Sequence, residues 1–413
     1  MIRIFCIACC LALLGAPARA SAQTLPLSSL TLAEALSLAS TANPTVRAKE
    51  FEVQSVGANE ITAALRPNPT ANFLAEQFGS GNVAVTQYTF SVGQPIELGG
   101  KRQRRIDSAK AATKVTGFEL ADLKRQIAFQ VQKTFTDILV ARDSVALAEQ
   151  NLATLDDLER IQRIRAEKGD LSGLELLRIQ VQRFASVRDA ADARQALKAG
   201  KIGLRALLGA DKLVENFDVT GSLEVPEASY SQPQLYRRAL DARPDVRAAE
   251  AAVAKTKADI NLAKANAWWD VTPSVEYQRI GPDNTIGFGF SLPIKLFDRN
   301  QGEITRTLAE ALRLGATRDA VTIQALSEVD FALASVQTER GKVEVLRETY
   351  VPKAKEARDT VEFAYRRGGV SLLDFLDAQR TYRETSLEYV RALGNYRAAV
   401  YLLEAAVGGP VDK

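Results

Sequence analysis

Leu120, Leu123, Ile127, Val131, Phe135, Ile138, Val145, Ala148, Leu152 and Leu155 follow one another in steps of three, four or seven. Split evenly, the steps average about 3.5 residues, the repeat of a helix in a coiled-coil seam. These residues lie within 101–209, a stretch with no proline. A helix over residues 101–168 would reach about 100 Å at 1.5 Å rise per residue. Such a rod cannot bury its own apolar stripe, so it needs a long partner. Gly169, Asp170, Ser172 and Gly173 break the pattern, and residues 174–208 resume it. The spacing predicts a long antiparallel helical hairpin over 101–209.

Outward from the hairpin, residues 70–77 and 82–92 read as two extended runs joined by a turn at Phe78-Gly79-Ser80-Gly81. Helices are expected before them, ending at Pro67 and Pro69. The order then starts again. Pro44-Thr45-Val46-Arg47-Ala48 recurs as Pro244-Asp245-Val246-Arg247-Ala248, and Pro95-Ile96-Glu97-Leu98 as Pro293-Ile294-Lys295-Leu296. Lys168-Gly169-Asp170-Leu171-Ser172 recurs as Arg367-Gly368-Gly369-Val370-Ser371. One offset of about 200 residues exceeds solenoid periods and marks a duplicated half. The expected division is a first repeat over 21–209, a connecting segment over 210–233 and a second repeat over 234–408. A short tail, 409–413, follows. The second repeat holds strands at 272–280 and 285–293 and a hairpin at 299–408.

Composition narrows the chemistry. The 413 residues are 46% hydrophobic and 25% charged, with a net charge of +3. Residues 1–20 read as a secretory signal, with Arg3, an apolar run over 4–14 and Ala18-Arg19-Ala20 as a cleavage site. Setting aside Arg3 and Arg19 brings the charge closer still to neutral, which gives no bulk attraction to nucleic acid. All three cysteines, Cys6, Cys9 and Cys10, lie in this leader. Lipidation of Cys9 or Cys10 is the alternative reading, set against a very short apolar run. Beyond the leader there is no Cys, His or Met, so no thiol or imidazole nucleophile and no soft metal ligands. No Gly-rich phosphate loop follows a strand. The expectation is an exported protein that is not an enzyme, has no catalytic residue, cofactor or metal site, and works by shape.

In residues 285–293, Ile286, Phe288, Phe290 and Leu292 alternate with Thr285, Gly287, Gly289 and Ser291. That is either a half-buried strand of a soluble sheet or a barrel strand with lipid and lumen faces. An isolated hairpin is barely stable, and four strands are too few to close a barrel. Several copies must pool their strands, and Ile286, Phe288, Phe290 and Leu292 become the expected lipid-facing row. No apolar run of 18 residues follows the leader, so no helical membrane span is expected.

With the duplication, two motifs carry a resemblance. They are Gln94-Pro95-Ile96-Glu97-Leu98-Gly99-Gly100-Lys101-Arg102 and Tyr365-x-x-Gly368-x-x-Ser371-Leu372-Leu373-Asp374-x-Leu376-x-Ala378-Gln379. The chain resembles the outer-membrane efflux proteins, the TolC-like channels of Gram-negative envelopes, almost end to end. The Glu-Leu-Gly-Gly-Lys-Arg run looks most like the branch serving cobalt–zinc–cadmium resistance pumps. The resemblance implies a mainly helical fold and a homotrimer. A 12-stranded barrel would sit in outer-membrane lipid above a helical tunnel through the periplasm. It implies passive export of substrates, heavy-metal cations in that branch, driven by an inner-membrane pump of the resistance-nodulation-division type through a periplasmic adaptor. A drug or type I secretion duct of the same fold is the alternative. A soluble periplasmic coiled-coil adaptor is a further one, disfavoured by two hairpins and the wrong strand layout.

The hairpin tips are read as gate and adaptor contacts: Lys168, Gly169, Asp170, Ser172 and Glu175 on the first, and Tyr365, Arg367, Gly368, Gly369 and Ser371 on the second. Ser172-x-x-Glu175 and Ser371-x-x-Asp374 also match a helix capping box, which explains those four residues without any gate. The resemblance matches Asp374 and Asp377 to acidic rings at the periplasmic aperture, where crowding would raise some of their pKa values. Lys101-Arg102-Gln103-Arg104-Arg105 is read as a solvated helix start near lipid head groups rather than a nucleic-acid patch. Trp268-Trp269 fits a core pair or an interfacial girdle equally well.

Overall fold

A computed structural model describes residues 27–78, 85–168, 173–209, 213–226 and 229–411. The leader reading of 1–20 and the tip residues Gly169, Asp170 and Ser172 lie outside them.

The duplication is plain in the helices. In the first half they are α1 (Leu32–Ala42), α2 (Pro44–Ala64), α3 (Lys101–Glu167) and α4 (Gly173–Leu208). The second half repeats them as α5 (Gln232–Ala242), α6 (Pro244–Asn266), α7 (Gln301–Val345) with α8 (Val351–Arg366), and α9 (Leu372–Val407). The 67 residues of α3 make a rod of about 100 Å. Ile127, Val131, Phe135, Ile138 and Leu155 of the expected seam are buried, with Leu120 and Leu123 packed at its upper end. The second rod is interrupted: Leu346–Tyr350 form a π turn immediately before Pro352. Proline has no N–H for the carbonyl four residues back, and a wider turn absorbs the mismatch.

Four strands form one antiparallel sheet in the order β2 (Thr70–Glu76), β3 (Gln87–Gly93), β5 (Thr272–Ile280) and β6 (Asp283–Ser291). The halves join at β3–β5, where Phe90 faces Tyr277 and Val92 faces Val275. Two sequence boundaries are corrected. Among the described residues β3 begins at Gln87, with 85 and 86 outside it. Residues 79–84, which hold the expected start at 82 and most of the expected turn, lie outside the described residues. β6 spans 283–291 rather than 285–293. The turn into it holds only Gly281 and Pro282, with Gly281 at φ +55°, where glycine is favoured. Leu292 therefore falls beyond the strand and is half-buried, so it does not belong to the outward row.

A second sheet was not expected. β1 (Leu27–Leu30) pairs in parallel with β4 (Leu213–Val219), which lies in the segment read from sequence as connecting. It covers the middle of α3, where Leu30, Phe217 and Val219 join Phe135, Ile138 and Leu139 in one core.

Below the large sheet the helices stand in a row: α2 packs on α3, α3 on α6 and α6 on α7. Farther from the sheet, α4 packs on α3, and α9 packs on α3, α7 and α8. Gly394 lets α9 come close to α3, since a Cβ there would run into Val140.

Candidate functional site

Three places are candidates for the functional site: the sheet, its junction with the helices, and the hairpin tips.

Strand register sorts the sheet into two faces. Paired residues share a face, so Phe73, Phe90, Tyr277 and Ile286 align, as do Val92, Val275 and Phe288. Phe288 is 84% and Phe290 76% exposed, in line with Ile286 and Phe73. The opposite face carries Asn72, Thr89, Ser91, Ser274, Glu276, Gln278, Thr285, Gly287 and Gly289, together with Leu74 and Ile280. One side is thus an exposed, mainly apolar wall and the other is mainly polar, the pattern of barrel strands with lipid outside and water inside. β2 and β6 form the edges of this sheet.

At the junction, the residues of the first motif fasten the two halves together. The Gln94 amide donates to the Pro273 carbonyl at 3.0 Å, Ile96 bridges Val271, and the Leu98 amide donates to Asp270 at 3.0 Å. Lys101, 6% exposed, pairs with the same Asp270 at 2.7 Å. Gly99 lies at φ +71° with the Trp268 ring against it. The basic cluster is absorbed by structure: Arg105 pairs with Glu97, and Arg102 and Arg105 donate to the end carbonyls of α2 at Ala64 and Leu65. Cations at a helix C-terminus offset its exposed carbonyls and dipole. Trp268 and Trp269 are 59% and 44% exposed, so they are not core residues of the single chain.

The tips of the two hairpins are packed together. Ile179, Leu372 and Phe375 form a small core with Leu158, Val361, Tyr365 and Leu376. Tyr365 stacks on Phe375 with ring centroids 5.3 Å apart, and its hydroxyl accepts from Gln162 Nε2 at 2.6 Å. Burial and the Glu175 carboxylate push the Tyr365 hydroxyl's pKa upward, so it stays protonated. Gly368, at φ +76°, turns the chain out of α8 while its amide and that of Gly369 satisfy the Tyr365 and Ala364 carbonyls. Arg367 lies over the Phe363 ring at 4.0 Å, and Lys168 is exposed at the end of α3.

Ser371 and Asp374 form a full capping box. The Asp374 amide donates to Ser371 Oγ at 3.2 Å, while its carboxylate accepts from the Ser371 hydroxyl and amide at 2.7 and 3.0 Å. Those bonds, the hydroxyl's first, hold the Asp374 carboxyl below the usual range within one chain, opposite to the rise expected from crowding. Asp377 is exposed and pairs with Arg380 at 3.0 Å. Both aspartates lie on the face of α9 opposite the buried Leu372, Phe375 and Gln379. Sequence reasoning missed Gln162 and Phe375. Gln162 sits seven residues after Leu155 in the α3 seam, where a polar residue marks a directed contact.

Among the described residues, no group of His, Cys, Asp or Glu side chains could hold a metal ion, and no helix is long and apolar enough to cross a membrane.

The family profile for "Outer membrane efflux protein" matches residues 35–210 and again 235–409, one match per half. The chain belongs to that family. Members are outer-membrane efflux channels, and this chain is one. It is 26% identical to the cobalt-zinc-cadmium resistance protein CzcC of Cupriavidus metallidurans, over 92% of this chain and 90% of that one. It is 25% identical to the pyoverdine export outer membrane protein OpmQ of Pseudomonas aeruginosa, over 80% and 72%. The solved structure of CusC, described as forming a transmembrane channel, superposes with a TM-score of 0.76 over 92% of both chains at 19% identity. That likeness confirms the helix–strand–hairpin fold.

Proposed function

We propose that three copies of this efflux protein close into one passive exit duct for heavy-metal cations. The carrying observation is that the sheet ends on β2 and β6 while the helix row beneath ends on α2 and α7. Both ends also carry exposed apolar residues, Phe51 and Ile61 on α2 and Leu308, Leu312 and Ile323 on α7. Strand and helix edges thus lie on matching sides, as a closing head-to-tail ring requires. Three four-stranded sheets give a twelve-stranded barrel, wide enough for an aqueous lumen.

Transport needs no catalysis by this chain. An inner-membrane pump of the resistance-nodulation-division type supplies the driving force, and a periplasmic adaptor engages the tips around Lys168, Glu175, Arg367 and Ser371. In the resting state the Gln162–Tyr365 contact and the Tyr365–Phe375 stack hold the tips together, and Asp374 and Asp377 line the aperture. Similarity to CzcC, longer in coverage than that to OpmQ, favours metal cations over a siderophore. A strain lacking the gene should become sensitive to cobalt, zinc and cadmium, and the chain should restore tolerance. Restoration of siderophore or drug export alone would overturn the cargo and leave the duct standing.

A further inference from the structure

Above the tips, a second set of contacts crosses from one hairpin to the other. Asn151 of α3, Ser186 of α4 and Gln379 of α9 are buried, at 7%, 1% and 6% exposure. Gln379 Nε2 donates to Asn151 Oδ1 at 3.1 Å, and Asn151 Nδ2 donates to Ser186 Oγ at 3.0 Å. One turn along α9, Arg383 reaches Asp189 of α4 at 2.7 Å. Asn151 is thus the node of this crossing, and the motif residue Gln379 is its contact from the second hairpin.

Leucine or alanine would fill this seam with no polar group to desolvate, and hydrogen bonds only offset that cost. A buried polar pair instead makes the contact directional, satisfied in one alignment of the helices and lost when they slide. Here even that alignment is incomplete: no donor among the described residues meets Gln379 Oε1, beside a void of about 10 Å³. Asn151, Ser186, Asp189 and Arg383 themselves form one wall of a cavity of about 560 Å³ where the three helices part, which extends to Val140 and Leu387. The hairpins therefore touch at this level through a narrow polar crossing between the packed tips and an open groove.

We propose that Gln379 and Arg383 are positioning residues of an upper latch. They hold the second hairpin against Asn151 and Asp189 of the first while the duct is closed, and both bonds break when the tips part. The proposal rests on the reading of the tips as the gate, to which it adds a second tier.

Single-channel recording of the full-length protein in planar bilayers tests it, with assembly of each variant checked in detergent. Asn151→Leu with Gln379→Leu removes both polar partners and keeps the seam filled, and Asp189→Asn takes the charge out of the other bond at a less buried place. Each should raise the fraction of time spent open by about tenfold or more. Exchanging the charges, Asp189→Arg with Arg383→Asp, should return gating towards the parent, which a purely structural role would not produce. Assembled variants that gate like the parent would overturn the latch, as would an Asp189→Asn effect that the exchange fails to reverse. Tyr365→Phe recorded in parallel separates the two readings. If it opens the duct while the latch variants do not, only the latch fails; if it too changes nothing, the tip gate fails first.

Discussion

Arg243, in the bend between α5 and α6, donates from its guanidinium to the Ala406 carbonyl at 3.0 Å. Its counterpart in the first half, Asn43, makes the same reach to the Leu207 carbonyl at 2.8 Å. Each ties a bend to the end of its hairpin, two residues before a glycine at φ +85°. The duplicated joint has diverged in charge. Arg243 also pairs with Asp245 at 2.6 Å and Glu328 at 2.8 Å, whereas Asn43 caps α2.

Arg243→Ala should therefore cost about 3 kcal/mol, the low end for breaking a buried pair because Glu328 is 41% exposed. Burial raises the Asp245 pKa, but hydrogen bonds and charge from Arg243, with the charge of Arg125, outweigh it and hold the group below its ordinary value. A depressed carboxyl pKa gives stability above the unfolded value near ~3.9, lost as pH falls through the folded one. Acid unfolding followed by circular dichroism should lose part of its pH dependence below about pH 4 in Asp245→Asn.

Gly394→Ala places a methyl inside Val140 and should destabilise by about 1–3 kcal/mol. Val140→Ala in the same chain should recover part of the loss. Thermal unfolding of the two variants and their combination measures it.

Phe288→Arg should impair assembly in the outer membrane by about 2–4 kcal/mol, the cost of a cation on a lipid face near the midplane. Gly287→Ser, on the opposite face with Glu276 Cβ at 4.0 Å as its nearest neighbour, should assemble normally. Yields of folded protein in membrane fractions compare them, and a reversed pattern would invert the two faces.

Asp374→Ala should cost about 0.5–2 kcal/mol through the lost capping box whatever its place in the aperture. Combined with Asp377→Ala it should also abolish block by multivalent cations and weaken cation preference in bilayer recordings. Unchanged block in an assembled variant would leave Asp374 with capping alone.

The long hairpins, the repeat and the position of the sheet were legible because each rests on local periodicity. Strand faces were legible only in β6, where glycine alternates with bulky residues; in β2 and β3 the apolar face emerges from pairing with β5. The small β1–β4 sheet was hidden because its strands are separated by about 180 residues and neither alternates. At the tips, Tyr365 and Asp374 stood out through their motif. Gln162, Asn151 and Asp189 could not, since a polar residue on a helix reads as solvent-facing until its partner helix is placed. The π turn had its signal in Pro352, inside an otherwise unbroken helical pattern.

The central claim, that β2 of one copy closes on β6 of the next, is tested most directly by cross-linking in membranes. With cysteine absent beyond residue 10, Ala71→Cys in β2 can be paired in turn with Ile286→Cys, Phe288→Cys or Phe290→Cys in β6, all on the outward face. Oxidation should convert the protein, for at least one pairing, into a covalent species of three chains and nothing larger. Monomers that no pairing can link, or a ladder running past three, would contradict the closed duct.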